Sequence, residues 1–311
     1  MDSVTRRHFL QATTATAALG ALSPDTLAFQ PAGGFRGSLC FFSKHLPRMN
    51  ADRLGATLKK LGFDGVDLTV RPKGHIEPAR VAQDLPPFVE GIRKAGLDVP
   101  MITTELLSDA DPAAVPTLQT AAALKIPFVK PGYYRYALAD ARKERDEAGA
   151  KFRTLAALAA KYGLRLGFHN HSGTYIGQAV WDIAPVIDTL DPKVVGYYFD
   201  PRHAVVEGGD AGWRAAFNLV APRLFMVALK DFLWEKTPKG WRVVNVPLGE
   251  GMVDWPRFFG MLAKANFHGP ISLHLEYDIP GATPEAEEEN TIAATARDLA
   301  FMKKHILEAY K

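Results

Sequence analysis

Only one cysteine, Cys40, occurs in the 311 residues, so no intrachain disulfide can form and the folded chain relies on its core. Long apolar runs are also missing. The one weakly apolar stretch near the start is too short to span a bilayer, so no stable membrane anchor is expected. Basic residues are spread along the chain and form no blocks: 37 Lys and Arg face 34 Asp and Glu, and the net charge is +3. The electrostatic footprint of a nucleic-acid binder is therefore absent. No glycine-rich phosphate loop follows the first apolar segment, which argues against a dinucleotide-binding doubly wound sheet. What is present is 47% hydrophobic and 23% charged residues, the composition of a globular protein with a substantial core.

The first 28 residues read as an address. Paired Arg6 and Arg7 precede Phe9 and Leu10, an Ala/Thr-rich stretch runs to Leu22, and small residues surround Ala28. This resembles a twin-arginine export signal; the bland alternative is a basic, unstructured N-terminus. The expected division is a signal over 1–28 and one domain over 29–311. The expected location is the periplasm or the outside of the cell, with the twin-arginine export machinery as a partner. Such machinery carries folded proteins, which implies that any cofactor is acquired inside the cell.

From Gly37 onward, short apolar runs alternate with amphipathic segments. Candidate strands are LCFF (39–42), GVDLTV (65–70), VPMITT (99–104), PFVKP (127–131), LRLGFH (164–169), VVGYYFD (194–200), LFMVALK (224–230) and ISLHLE (271–276). Helical patterns lie between them, several closing at Gly62, Gly96, Gly163 or Gly269 as C-caps do. Eight strands alternating with eight helices predict a single (β/α)8 TIM barrel in the α/β class. After strand seven, the turn TPKG between two β-rich runs predicts a β-hairpin excursion from the rim.

In such a barrel the site gathers at the C-terminal ends of the strands. Strand two leads to Arg71 and His75, strand three to Glu105, and strand four to Lys130, Tyr134 and Arg135. Strand five ends in His169, Asn170 and His171, strand six in Asp200 and His203, strand seven in Lys230, and strand eight in Glu276. Each alone has a structural reading, as a helix cap, a satisfied core histidine or a solvated rim. A barrel needs no such convergence merely to fold. Imidazole and carboxylate together suit Zn, Mn, Co or Fe better than Mg. An ion there would polarise a sugar carbonyl while a base removed the neighbouring proton.

The stretches FHNHSGT, YYFDPRHAVVEGGD, LKDF, VPLGEGMVDW and LHLEYD together resemble the xylose-isomerase-like barrels, which include sugar-phosphate isomerases, ketose epimerases and inosose dehydratases. The resemblance covers nearly all of the mature chain. It implies four metal ligands, Glu, Asp, His and Glu, from strands five to eight. Asp200 and Glu276 match the second and fourth, His169 stands in the first position, and Ala228 stands where the strand-seven His is usual. The strand-five pattern is most similar to the inosose dehydratase branch.

The resulting expectation is an isomerase or epimerase that abstracts a proton next to a sugar carbonyl. Glu276 would be the base, His169, Asp200 and Glu276 the metal ligands, and His171 and His203 the groups that orient hydroxyls or shuttle protons. Lys130 and Lys230 would stabilise the oxyanion, and Arg71, His75, Glu105, Tyr134, Arg135 and Asn170 would bind substrate. A lyase or dehydratase acting on a keto-sugar, keto-glycoside or keto-inositol ranks nearly equal, because elimination needs no second matched carboxylate. A catalytically silent sugar-binding barrel is the third reading. A homodimer is compatible with all three.

Overall fold

The barrel strands are mostly apolar because both faces are covered, one by the interior and one by helices. In a computed structural model that describes residues 34–311, every residue of the second strand is buried. The segment 1–28 lies outside the described residues. The barrel strands are β1 (Leu39–Phe42), β2 (Gly65–Val70), β3 (Asp98–Thr104), β4 (Phe128–Lys130), β5 (Arg165–His169), β6 (Val195–Phe199), β7 (Leu224–Leu229) and β10 (Ile271–Leu273). They close in the order β1-β10-β7-β6-β5-β4-β3-β2, all parallel. The expected hairpin is β8 (Asp231–Thr237) paired antiparallel with β9 (Gly240–Val246).

Eight helices, α1 (Ala51–Leu61), α2 (Val81–Lys94), α3 (Ala114–Ala123), α4 (Ala141–Lys161), α5 (Val180–Ile187), α6 (Pro201–Val220), α7 (Trp255–Lys264) and α8 (Pro284–Ala309), are described around the sheet. Among these residues no helix is long and apolar enough to cross a membrane.

Three details differ from the sequence reading. The last barrel strand stops at Leu273, so His274 and Glu276 leave it in a loop. Gly62, Gly96 and Gly163 do take left-handed φ values of 91°, 78° and 68°, but after α7 that conformation falls to Asn266 at 51°. Gly269 is small for another reason: a Cβ there would lie 2.3 Å from the Phe225 carbonyl oxygen. Helix α6 begins immediately after β6, with Pro201 at its first turn and the Asp200 carboxylate accepting from the His203 amide at 3.2 Å, and it breaks at Gly209. That early start places His203 over the mouth of the barrel.

Close packing also fixes Gly196 in β6, where a Cβ would meet the Arg223 carbonyl oxygen at 2.3 Å. Arg223 is itself tied by its guanidinium to the Ile187 and Leu190 carbonyls. The backbone therefore has little room to give. Gly196→Ala is expected to destabilise the barrel by about 1–3 kcal/mol, read as a lowered urea midpoint; an unchanged midpoint would contradict this packing.

Candidate active site

A cavity of about 280 Å³ opens at the C-terminal mouth of the barrel. Arg71, Lys130, His169, His171, His203, Lys230 and Glu276 all line it, as the sequence reading grouped them. Three hydrogen-bonded clusters build its walls.

The first surrounds Asp200, which is fully buried. Its Oδ2 lies 3.1 Å from Lys230 Nζ, 3.3 Å from His169 Nε2 and 3.7 Å from His203 Nε2. Burial opposes ionisation of this carboxyl, but Lys230, His203 and His169 outweigh it and hold its pKa well below the usual range. His169 and His203 are themselves kept neutral, chiefly by burial, which the nearby anion only partly offsets. Tyr133 OH meets His169 Nδ1 at 2.9 Å. Arg202 donates to His203 Nδ1 at 2.9 Å, so that nitrogen is a lone pair and the neutral ring carries its proton on Nε2, toward Asp200. The Arg202 guanidinium also grips Asn245 Oδ1, at 2.6 Å from Nη2, which joins the hairpin to this wall.

The second cluster lies deeper. Asp67 accepts from Thr103, Tyr198 and Ser272 at 2.7, 2.9 and 2.9 Å, and Tyr198 OH also meets His274 Nε2 at 3.1 Å. A buried carboxylate with three donors is satisfied and rigid, and it fixes the floor.

The third is Glu276, paired with Lys44 at 2.7 Å and 3.8 Å from His274 Nδ1. Burial raises its pKa, but His274, Lys230 and Lys44 overcome that and hold it well below the usual carboxylate range. Behind it, His45 Nε2 accepts the Leu275 amide at 3.0 Å. Burial, opposed by Glu276, lowers the pKa of His45 from 6.5 to about 3. The unfolded chain then takes up a proton first, so stability present above the unfolded value of 6.5 is lost as pH falls toward 3. Going from about pH 7 to about pH 4.5, this group is expected to cost on the order of 2 kcal/mol, allowing for its partly exposed edge. Urea midpoints at the two pH values should fall less in His45→Gln than in the parent; equal falls would reject the assignment.

Other expected site residues lie elsewhere. His75 folds back onto Thr69 Oγ1 at 3.2 Å and packs edge-on against Phe88. Glu105 lines a separate apolar cavity beside Val70 and Leu106. Tyr134 is core, its hydroxyl donating to the Leu107 carbonyl, and Arg135 covers the Tyr175 ring at 4.2 Å. Asn170 is structural: it donates to the Asp200 carbonyl at 3.0 Å and accepts from the Asp200 amide at 2.9 Å. All five follow the ends of their strands, where the alternation that aims side chains inward no longer applies.

Lys44, Tyr198, Arg202, Asn245 and His274 line the cavity without having been assigned a role from sequence. Tyr198 was findable, since it lies two residues before Asp200 and shares its face. Asn245 was not, because the hairpin reaches the cavity only through the tertiary fold.

His169, Asp200 and His203 offer donor atoms within 4.8 Å of one another, a group that could hold a metal ion. This group shares His169 and Asp200 with the expected trio and has His203 as its third member. Two imidazoles and a carboxylate, all buried, fit a borderline divalent ion. An ion there would compete with Lys230 for the Asp200 carboxylate and would need the His203 Nε2 lone pair. Ala228 supplies no ligand; it is buried against Met101, Tyr198 and Met226.

A family model described as a xylose isomerase-like TIM barrel matches residues 56–305. An inosose dehydratase of Lactiplantibacillus plantarum is 31% identical over 178 residues, 53% of this chain and 56% of that protein. One of Bacillus velezensis is 28% identical over 142 residues, 42% and 46% of the two chains. The chain spans about half the length of the curated relatives it matches. Among solved structures, an L-ribulose 3-epimerase superposes with a TM-score of 0.65 at 17% identity over 88% of this chain and 95% of the other. A 3-keto-D-glucoside 4-epimerase from E. coli does so with 0.65 at 16% identity over 86% and 99%. At these identities the structural likeness shows the fold alone.

Proposed function

Because this chain belongs to the xylose isomerase-like TIM barrel family, we propose that it is a carbohydrate enzyme that removes a proton next to the carbonyl of a keto-sugar or keto-inositol and then expels the β-hydroxyl or β-alkoxy group, a lyase-type elimination. One observation carries this reading. Glu276 is the sole carboxylate among the described residues lining the cavity, and it faces Lys230, Lys44 and His274. Epimerisation needs proton removal and return on opposite faces, hence two matched groups. Elimination on one face, or aldose–ketose isomerisation, needs only one carboxyl that takes the proton and gives it back. The inosose dehydratase relatives favour elimination between those two.

In this scheme Lys44 leaves Glu276 when substrate enters, freeing Oε2 to take the proton. Lys230, Lys130 and Arg71 line the same cavity, and their side-chain donors would stabilise the charge that develops on the enolate oxygen. Glu276, now protonated, delivers the proton to the departing oxygen. A divalent ion on His169, Asp200 and His203 would supply Lewis-acid polarisation of the carbonyl, and Zn, Mn, Co or Fe suits that donor set. The reading extends to export directed by residues 1–28, checked by locating the full-length protein in fractionated cells.

The test of the chemistry is incubation in D2O with an inosose and a small panel of keto-sugars, with and without chelator, read by NMR. Deuterium uptake next to the carbonyl with a dehydrated or cleaved product is expected. Exchange accompanied only by a rearranged sugar would replace elimination with isomerisation, and no exchange would overturn the reading. Metal analysis of the same preparation, with chelator sensitivity, decides whether the ion takes part.

A further inference from the structure

In an antiparallel hairpin, opposed residues share a face and that face repeats every second residue. The register Trp234↔Val243 and Lys236↔Trp241 therefore puts Phe232, Trp234, Trp241, Val243 and Asn245 on one side. The base of that side belongs to the cavity: Asn245 lines it, and Phe232 lies beneath the guanidinium of the cavity residue Arg202 at 5.3 Å. Outward from there the face becomes aromatic and open. Trp234 packs edge-on against Phe232 with ring centroids 6.4 Å apart and is 39% exposed, while Trp241, further out, is 65% exposed. At strand spacing, Trp234 stands about 7 Å and Trp241 about 13 Å from Asn245. The opposite face carries the Glu235–Arg242 ion pair instead.

We propose that this hairpin face is a sugar subsite: the ring attached to the one held in the cavity stacks on Trp234 and Trp241, so the substrate class is a keto-glycoside of two or more rings. The proposal rests on the reading of the cavity as a keto-sugar site. Continuity with that cavity identifies the occupant. A pyranose presents an apolar C–H face and a polar rim, which match a flat indole flanked by Asn245 and Lys236. Indole rings also keep that surface at low conformational cost, since each has only two side-chain torsions.

Calorimetric titration of the Glu276→Gln protein, which should bind without turning over, tests this with 3-keto-glucose as the one-ring probe and 3-keto-cellobiose as the two-ring probe. The two-ring probe is expected to bind about tenfold tighter or more, and Trp234→Ala/Trp241→Ala should erase that increment while leaving one-ring affinity unchanged. Trp234→Phe/Trp241→Phe should restore part of it, which separates stacking from a folding defect. Equal affinities for both probes, or an increment that survives the alanine pair, overturn the subsite and leave the cavity reading intact. Binding of neither probe removes both. If light scattering shows that the alanine pair dissociates a dimer and the increment is unaffected, the face is a self-association surface and the proposal falls.

Discussion

Glu276→Gln is expected to lower turnover on the order of 10³-fold or more, while ligand affinity changes little. Gln keeps the size of the side chain and an oxygen that Lys44 can still approach, so the walls of the cavity should persist. What it loses is the ability to take a proton. The wild-type carboxyl is ionised across the neutral range, because His274, Lys230 and Lys44 outweigh the burial that would otherwise protonate it. A base held that low is ready but weak, and desolvation by the entering substrate together with departure of Lys44 would strengthen it. Lys44→Met should therefore raise the Glu276 pKa and move the acid limb of the pH–rate profile to higher pH. Solvent deuterium uptake by substrate is the direct readout for both variants. If Glu276→Gln still exchanges deuterium at the parent rate, the base is another group; if the parent shows binding but never exchange, the barrel is a sugar-binding protein.

How far the sequence reached follows from how barrels aim side chains. Apolar runs marked all eight barrel strands, because burial on both faces leaves no alternation to obscure them. Within the strands or at their last residue, the assignments of Lys130 and His169 met the cavity. Two to five residues further on, success depended on local geometry that no pattern encodes: His171 and His203 turned inward, His75 and Arg135 did not. His203 arrived through the immediate start of α6 after Asp200, the same capping event that gives the aspartate its structural role. Asp200 does both jobs, with Oδ1 on the helix and Oδ2 on the Lys230 ammonium. Lys44 lies beyond the end of β1 at Phe42, in the 3-10 turn Ser43–His45, where no strand pattern aims side chains.

That double role makes Asp200→Asn the most informative stability experiment. Asn caps a helix about as well as Asp, and Asn170 still clamps the backbone of residue 200 from both sides, so the helix start should survive. The charge does not survive. Lys230 would keep its ammonium 5% exposed, with its nearest anion gone. Breaking a buried pair in this way costs about 3–5 kcal/mol, more than most single substitutions. The depressed Asp200 pKa has the same sign: its contribution is present above the ordinary carboxylate value and lost as pH falls through the lower folded one. Adding Lys230→Met should return much of the lost stability, since the cost lies in the uncompensated cation and not in a missing attraction. Urea unfolding of the parent, both single variants and the double completes the cycle. A double variant no more stable than Asp200→Asn would mean that the carboxylate serves chiefly the neutral imidazoles of His169 and His203 that face it.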